Sequence, residues 1–267
     1  MDLGLDGKVA LVTGSYRGTG AGIARVLAAE GATVLVHGFE PGQADAVVAS
    51  IVDAGGQAIG VAGDLLSDEG ADELVAQCLA AAGRVDVLVN NYGVAEGGDW
   101  FAHDSASWFD LYDRNVVSGI RLVHRLVPQM RERGNGRVIF IATIGATRPG
   151  TRHPQYYAAK TALPGVTVSL AKELAGTGVT VNTISPGVIA TDEIREMFTR
   201  RAAQQGLPTD WPSVERLILE TSMSNPTQRV PTPEDIGRFV AFVAGDVGWH
   251  LNGAHLHIDG GAADAVT

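Results

Sequence analysis

At 267 residues, with 45% hydrophobic and 19% charged side chains, the chain can bury a full core within one domain, which excludes an intrinsically disordered protein. Its formal net charge of −10 repels polyanions, and no Lys/Arg cluster offers a nucleic-acid footprint, so DNA and RNA are excluded as partners. No apolar run reaches the ~20 residues that cross a bilayer, the opening Met1-Asp2-Leu3-Gly4-Leu5-Asp6 is acidic, and the lone Cys78 has no internal disulfide partner; a cytoplasmic protein without a membrane partner is expected.

Taken in chain order, apolar runs at 9–13, 33–36, 58–62, 85–90, 136–142 and 180–184 read as strands. Segments of helical period at 20–30, 43–53, 68–81, 104–131 and 155–175 lie between them. Near-continuous β-branched and aliphatic runs, each followed by an amphipathic helix, predict an α/β fold: a doubly wound parallel sheet with helices on both faces, one domain over 1–267. Ligands then gather beyond the carboxyl ends of the strands. The long irregular stretch at 191–231, with Pro208, Trp211, Pro212, Pro226 and two helical fragments, is expected to cover that edge as a substrate lid.

The first strand runs into Thr13-Gly14-Ser15-Tyr16-Arg17-Gly18-Thr19-Gly20 and then a helix of small residues, Ala21-Gly22-Ile23-Ala24. Glycines let the backbone approach a ligand closely, and a helix N-terminus offers unpaired N–H groups and a positive dipole end to a pyrophosphate. After the third strand, Asp64 is placed to accept from an adenine amino group while the Leu65 N–H meets the ring. After the fourth, Asn91 of Asn90-Asn91-Tyr92-Gly93 braces the strand ends, and Gly93 leaves room for a ribose.

Tyr156 and Lys160, four apart at the head of a helix, share a face. A nearby ammonium favours the phenolate, so the pair is suited to moving a proton at an alcohol oxygen while hydride moves at a nicotinamide. Tyr157, three residues from Lys160, competes for the same role. Thr143, at the end of the fifth strand, has a hydroxyl for the substrate oxygen, and Asn115 sits in a helix interior that disfavours asparagine unless its amide is used. Pro186-Gly187, followed by Val188, Ile189 and Thr191, is placed to cap the nicotinamide amide.

With Thr13-Gly14-x-x-x-Gly18-x-Gly20, Asn90-Asn91-x-Gly93, Asn115, Tyr156-x-x-x-Lys160, Asn182, Pro186-Gly187 and Asp259-Gly260-Gly261 in this order, the sequence resembles the short-chain dehydrogenase/reductase family over almost its whole length. The resemblance implies a Rossmann fold and a catalytic set carried as Asn115, Thr143, Tyr156 and Lys160. Tyr156 would be the acid/base, Lys160 would hold the cofactor ribose and depress the tyrosine pKa, Thr143 would polarise the carbonyl, and Asn115 would support a water in the proton relay. Departures are Thr143 in place of serine, Tyr92 in place of alanine, Thr19 where isoleucine is common, and Pro164, which removes a helical bond to the Lys160 carbonyl and predicts a local kink.

Gly38, ahead of Phe39 and Glu40, occupies the usual acidic position at the end of the second strand, and Arg17 can pair with a 2′-phosphate. NADP is therefore favoured over NAD, with Glu40 arguing the other way. The expected substrate is a ketone or secondary alcohol in a pocket drawing on Val94, Ala95, Glu96, Ile144, Gly145, Tyr157, Ile194, Met197, Phe198, Trp211 and Leu217. His255 and His257 lack a third ligand, so no metal site is expected. The resemblance further implies a homotetramer, or a dimer, paired through helices bearing Trp108, Leu111, Tyr112, Leu122, Val166, Leu170 and Leu174. A non-catalytic NAD(P) sensor and a 3-oxoacyl-carrier reductase are the competing readings.

Overall fold

Seven strands form one sheet in the computed structural model of the chain, which describes residues 1–96 and 98–263: β1 (Val9–Val12), β2 (Thr33–Gly38), β3 (Gln57–Ala62), β4 (Val87–Asn90), β5 (Gly136–Ile141), β6 (Val179–Pro186) and β7 (His255–Ile258). All pairings are parallel, in the order β3-β2-β1-β4-β5-β6-β7. The order reverses between β1 and β4, and the crevice beyond that switch point is where such sheets bind ligands. Every residue of β1, β4, β5 and β6 is buried, as a sheet covered on both faces requires.

One face is covered by α1 (Gly18–Ala29), α2 (Asp45–Asp53) and α9 (Pro233–Ala244), whose Ile23, Leu27, Ile51 and Val240 pack on Val12, Val34, Val36 and Val89. The other is covered by α3 (Asp68–Ala82), α5 (Ser118–Arg133) and α6 (Pro154–Glu173), with Leu74, Leu122, Leu126 and Leu163 against Leu11, Leu35, Leu88 and Phe140. Each such side chain contributes about 1.5–3 kcal/mol by leaving water. Cys78 lies inside this second core, where burial pushes its thiol up to about 12 and leaves it inert.

Two elements differ from the sequence expectation. The helix expected over 104–131 is split into α4 (Ser105–Tyr112) and α5 by a π turn, Asp113–Val117, that carries Asn115. Asn115 itself supplies the cause: its Nδ2 donates to the Leu111 carbonyl at 2.9 Å, competing with the backbone ladder one turn back. Helix α6 runs through Pro164 as a single element. Between β6 and α9, α7 (Asp192–Gln204) and α8 (Trp211–Thr221) bury a small core of their own from Phe198, Ala202, Val214, Leu217 and Ile218. Phe198 and Leu217, expected to line a substrate pocket, are turned into that core. No helix among the described residues is long and apolar enough to cross a membrane.

Candidate active site

The chain leaves β1 through Thr13, whose Oγ1 accepts from the N–H groups of Asn91 at 3.0 Å and Tyr92 at 2.9 Å, while Asn91 Nδ2 donates to the Thr13 carbonyl at 2.8 Å. The ends of β1 and β4 are thereby joined at the switch point. His37, fully buried in β2, fixes the next residue: its Nδ1 accepts the Gly14 N–H at 2.9 Å and its Nε2–H donates to the Gly63 carbonyl at 3.0 Å. Burial lowers the His37 pKa to about 4, so the ring is neutral and this tautomer is the one both partners require. Sequence reasoning missed His37, because a lone histidine in an apolar strand carries no sign of the turn it serves.

Ala21 N–H makes the helical bond to the Arg17 carbonyl, which leaves the N–H groups of Gly18, Thr19 and Gly20 ahead of the first turn. The first turn of α1 holds no acidic side chain to compete for them. A Cβ on Gly20 would lie 2.6 Å from Asn91 Nδ2 and 2.7 Å from the Gly14 carbonyl oxygen, so only glycine permits this cradle. These features fit a dinucleotide pyrophosphate. The Ser15 side chain takes no part in the opening: it is buried, donating to the Val12 carbonyl at 2.6 Å and accepting the His37 N–H at 2.9 Å.

Beyond the strand ends, Thr19, Asn91, Gly93, Ile141, Ala142, Thr143, Tyr156, Lys160, Pro186, Gly187 and Ile189 line one cavity of about 160 Å³. Lys160 is buried and donates to the Ile141 carbonyl at 2.8 Å; burial brings its pKa down to about 8. Tyr156 is pushed up to about 12, chiefly by burial, against the pull of a hydrogen bond with Thr143. The expected depression of the tyrosine by Lys160 is not found: burial dominates, and the ammonium is directed at the Ile141 carbonyl. Tyr157 is held elsewhere, its ring against the Gly145 backbone in a place any side chain at 145 would fill. Gly93 is equally constrained, since a Cβ there would lie 2.5 Å from Asn115 Oδ1 and 2.8 Å from Lys160 Nζ.

Asn115 lies behind this cavity rather than in its wall. Its Oδ1 accepts the Val94 N–H at 3.0 Å, and its Nδ2 donates to the Val94 carbonyl at 3.0 Å. The amide thus fixes the loop after β4. On the adenosine side, Phe39 and Tyr92 meet edge to face at 4.9 Å, and the Phe39 N–H donates to Gln43 Oε1 at 2.6 Å beside Gly38. Asp64 accepts from the Leu66 N–H at 2.8 Å and Ser67 Oγ at 3.1 Å, and Leu65 is buried. Tyr16, Arg17, Gly18 and Thr191 line a separate groove of about 380 Å³. There Arg17 pairs with Glu193 of α7 at 3.2 Å, a partner the sequence did not suggest. Val188 packs on the core of α7 and α8.

A parallel sheet with a glycine-lined helix start and a tyrosine–lysine pair over its switch point defines a dinucleotide-dependent oxidoreductase class. The sequence pattern described as short chain dehydrogenase matches residues 8–202, and the chain belongs to that family. It is 36% identical to an uncharacterized oxidoreductase, YvaG, of Bacillus subtilis, over 100% of both chains. It is 32% identical to a 3-oxoacyl-[acyl-carrier-protein] reductase of Haemophilus influenzae, over 96% of this chain and 98% of the other. Among solved structures, the L-sorbose reductase of Gluconobacter frateurii, complexed with NADPH and L-sorbose, superimposes with a TM-score of 0.92 at 30% identity over 100% of both chains.

Proposed function

We propose that the chain transfers hydride between NADP(H) and a small ketone or secondary alcohol, with Tyr156 as the proton donor and acceptor. The observation that carries this reading is the convergence of Thr143, Tyr156 and Lys160 with Thr19, Asn91 and Pro186–Gly187 around one cavity. A nicotinamide bound there would supply or receive the hydride. In reduction, Thr143 Oγ1 and Tyr156 Oη hold the carbonyl oxygen, and Tyr156 gives it the proton; in oxidation it takes the proton back. Burial raises the Tyr156 pKa to about 12, so its hydroxyl carries the proton that reduction requires. Lys160 would hold the ribose and replenish the proton, and Asn115 keeps the Val94 backbone in place beside it.

NADP is favoured because Gly38 puts no carboxylate at the end of β2, Arg17 stands at the turn, and the sorbose reductase was solved with NADPH. A pure sensor would need no tyrosine–lysine pair. Residence in the cytoplasm and assembly as a tetramer belong to the same reading, with a changed contact face: Leu111, Leu122 and Leu174 are buried within the chain, whereas Phe109 and Tyr112 are exposed. The test is a panel of small ketones, ketoses and 3-oxoacyl thioesters, followed by loss of reduced-cofactor absorbance. Turnover with kcat/KM at least about tenfold higher for NADPH than for NADH is expected, since a charge-assisted contact to the phosphate is worth about 1.5–3 kcal/mol. No turnover with any carbonyl would overturn the assignment.

A further inference from the structure

Tyr92 puts a large ring where the strand ends expected to hold the adenosine come together. It follows β4, and its backbone is fixed there, because the Tyr92 N–H donates to Thr13 Oγ1 at 2.9 Å. Across β1 the ring meets Phe39, which follows β2, with the two planes inclined by 63° and the ring centres 4.9 Å apart. Phe39 in turn meets His37 edge on at 5.3 Å, so the pair stands beside the buried ring that anchors Gly14. A Cβ on Gly14 would lie 3.5 Å from Tyr92 Cδ2, so the ring leans over the start of the glycine turn. The groups whose charge acts on its hydroxyl come from four places: Asp110 of α4, Arg114 of the π turn, Asp64 after β3 and Tyr16 of the turn.

What lies beneath the ring keeps a base off the sheet. The cavity that Tyr92 closes, against Thr13, Leu65, Asn90 and Phe140, is about 10 Å³, the space of one water. No purine fits there. Nor does one fit between Tyr92 and Phe39, because two rings holding a third face to face stand about 7 Å apart, twice the ~3.5 Å of a carbon–carbon contact. The loop after β3 is held by bonds of its own: Asp64 accepts from the Leu66 N–H and Ser67 Oγ, and the Leu65 carbonyl accepts from Arg121 Nη1 at 3.1 Å. Only part of the Asp64 carboxylate is thus free for an adenine amino group. Tyr92 is half-buried, and its outer side is what remains for a flat base to lie on.

We infer that Tyr92, steadied edge to face by Phe39, is the platform on which this chain stacks the adenine of its dinucleotide. Affinity for the adenosine half then comes from a π face as well as from hydrogen bonds. This rests on the NADP(H) reading above and deepens it.

The experiment measures Kd by calorimetry for 2′,5′-ADP, which carries the base, for reduced nicotinamide mononucleotide, which does not, and for NADPH. The proteins are the wild type, Tyr92→Phe, Tyr92→Leu and Tyr92→Met. Leucine and methionine both fill apolar space without a π face, so the result does not hang on one variant folding. Each should weaken 2′,5′-ADP and NADPH about tenfold or more and change the mononucleotide less than about threefold, since stacking one base on an aromatic side chain accounts for about that much. Tyr92→Phe keeps the face and should stay within about threefold for all three ligands. Equal losses for 2′,5′-ADP and the mononucleotide in both aliphatic variants would make the ring a brace for the turn and overturn the platform. Unchanged or tighter 2′,5′-ADP in those variants overturns it too, as does a wild type that holds NADPH but not 2′,5′-ADP. A wild type that binds neither removes the cofactor reading beneath it instead.

Discussion

The turn at 13–20 and the segment at 191–231 meet along one groove lined by Tyr16, Arg17, Gly18 and Thr191, yet they are held by different forces. The turn is fixed by directed bonds: Thr13 to Asn91 and Tyr92, Ser15 to Val12 and His37, and His37 to Gly14 and Gly63. Helices α7 and α8 are held mainly by their own apolar core, with Arg195 stacked 3.7 Å over the Trp211 ring at its edge. Hydrogen bonds specify geometry to a fraction of an ångström, whereas an apolar core specifies which faces touch. The turn is thus preorganised by directed bonds, whereas α7 and α8 pack as one apolar unit beside it.

The largest effect that sharpens this contrast comes from the acid itself. Tyr156→Phe removes the hydroxyl proposed to donate the proton and leaves the turn untouched. Turnover should fall about 10²- to 10⁴-fold, while the Kd for NADPH, read by cofactor fluorescence, changes less than about threefold. A variant that keeps most of its kcat would move the role to Tyr157, against the packing of Tyr157 on Gly145 described above.

How much of this was legible follows from the range of the interactions. The strands, the glycine turn and the Tyr156–Lys160 spacing are local patterns, and the structure puts all three where those patterns point. Asn115 was singled out, but the π turn was hidden because helical periodicity runs unbroken through 104–131. His37 was invisible for a different reason: its partners, Gly14 and Gly63, are 23 and 26 residues away, and nothing local marks the pairing. Phe198 and Leu217 were assigned to the pocket because an amphipathic helix reveals that one face is buried and not what buries it. The resemblance favoured Tyr156 over Tyr157, and the close packing of Tyr157 on Gly145 adds a physical difference between them that the spacing alone does not show.

The second test strikes the turn alone. His37 has a folded pKa of about 4 against an ordinary value of 6.5, so the native state binds fewer protons than the unfolded chain between those values. Stability contributed by the neutral ring is fully present above pH 6.5 and is lost as pH falls toward 4, by about 3 kcal/mol. Half-buried His255 is lowered to about 4 as well and adds a smaller loss in the same window. In His37→Asn, denaturant melts should show lower stability at pH 7 and a shallower decline from 6.5 to 4. The Kd for NADPH should rise, because the Gly14 N–H loses its acceptor. An unchanged pH slope would mean that His37 does not anchor the turn.

The smallest effect concerns the contact that joins the two regions. Arg17 and Glu193 pair at 3.2 Å with both side chains more than half exposed, so the bond itself is worth about 0–1 kcal/mol. Its consequence for the cofactor is larger than its energy, because a 2′-phosphate and the Glu193 carboxylate would compete for one guanidinium. Arg17→Ala should weaken NADPH binding about tenfold or more with little change for NADH. Glu193→Gln should tighten NADPH by no more than about fivefold, and the gain should vanish at high salt, where the native pair is already screened. Equal changes for both cofactors in Arg17→Ala would show that Arg17 serves the pyrophosphate instead. The preference for NADP would then rest on the absence of an acid at Gly38 alone, and the turn and the helix above it would be coupled through no charge that reads the cofactor.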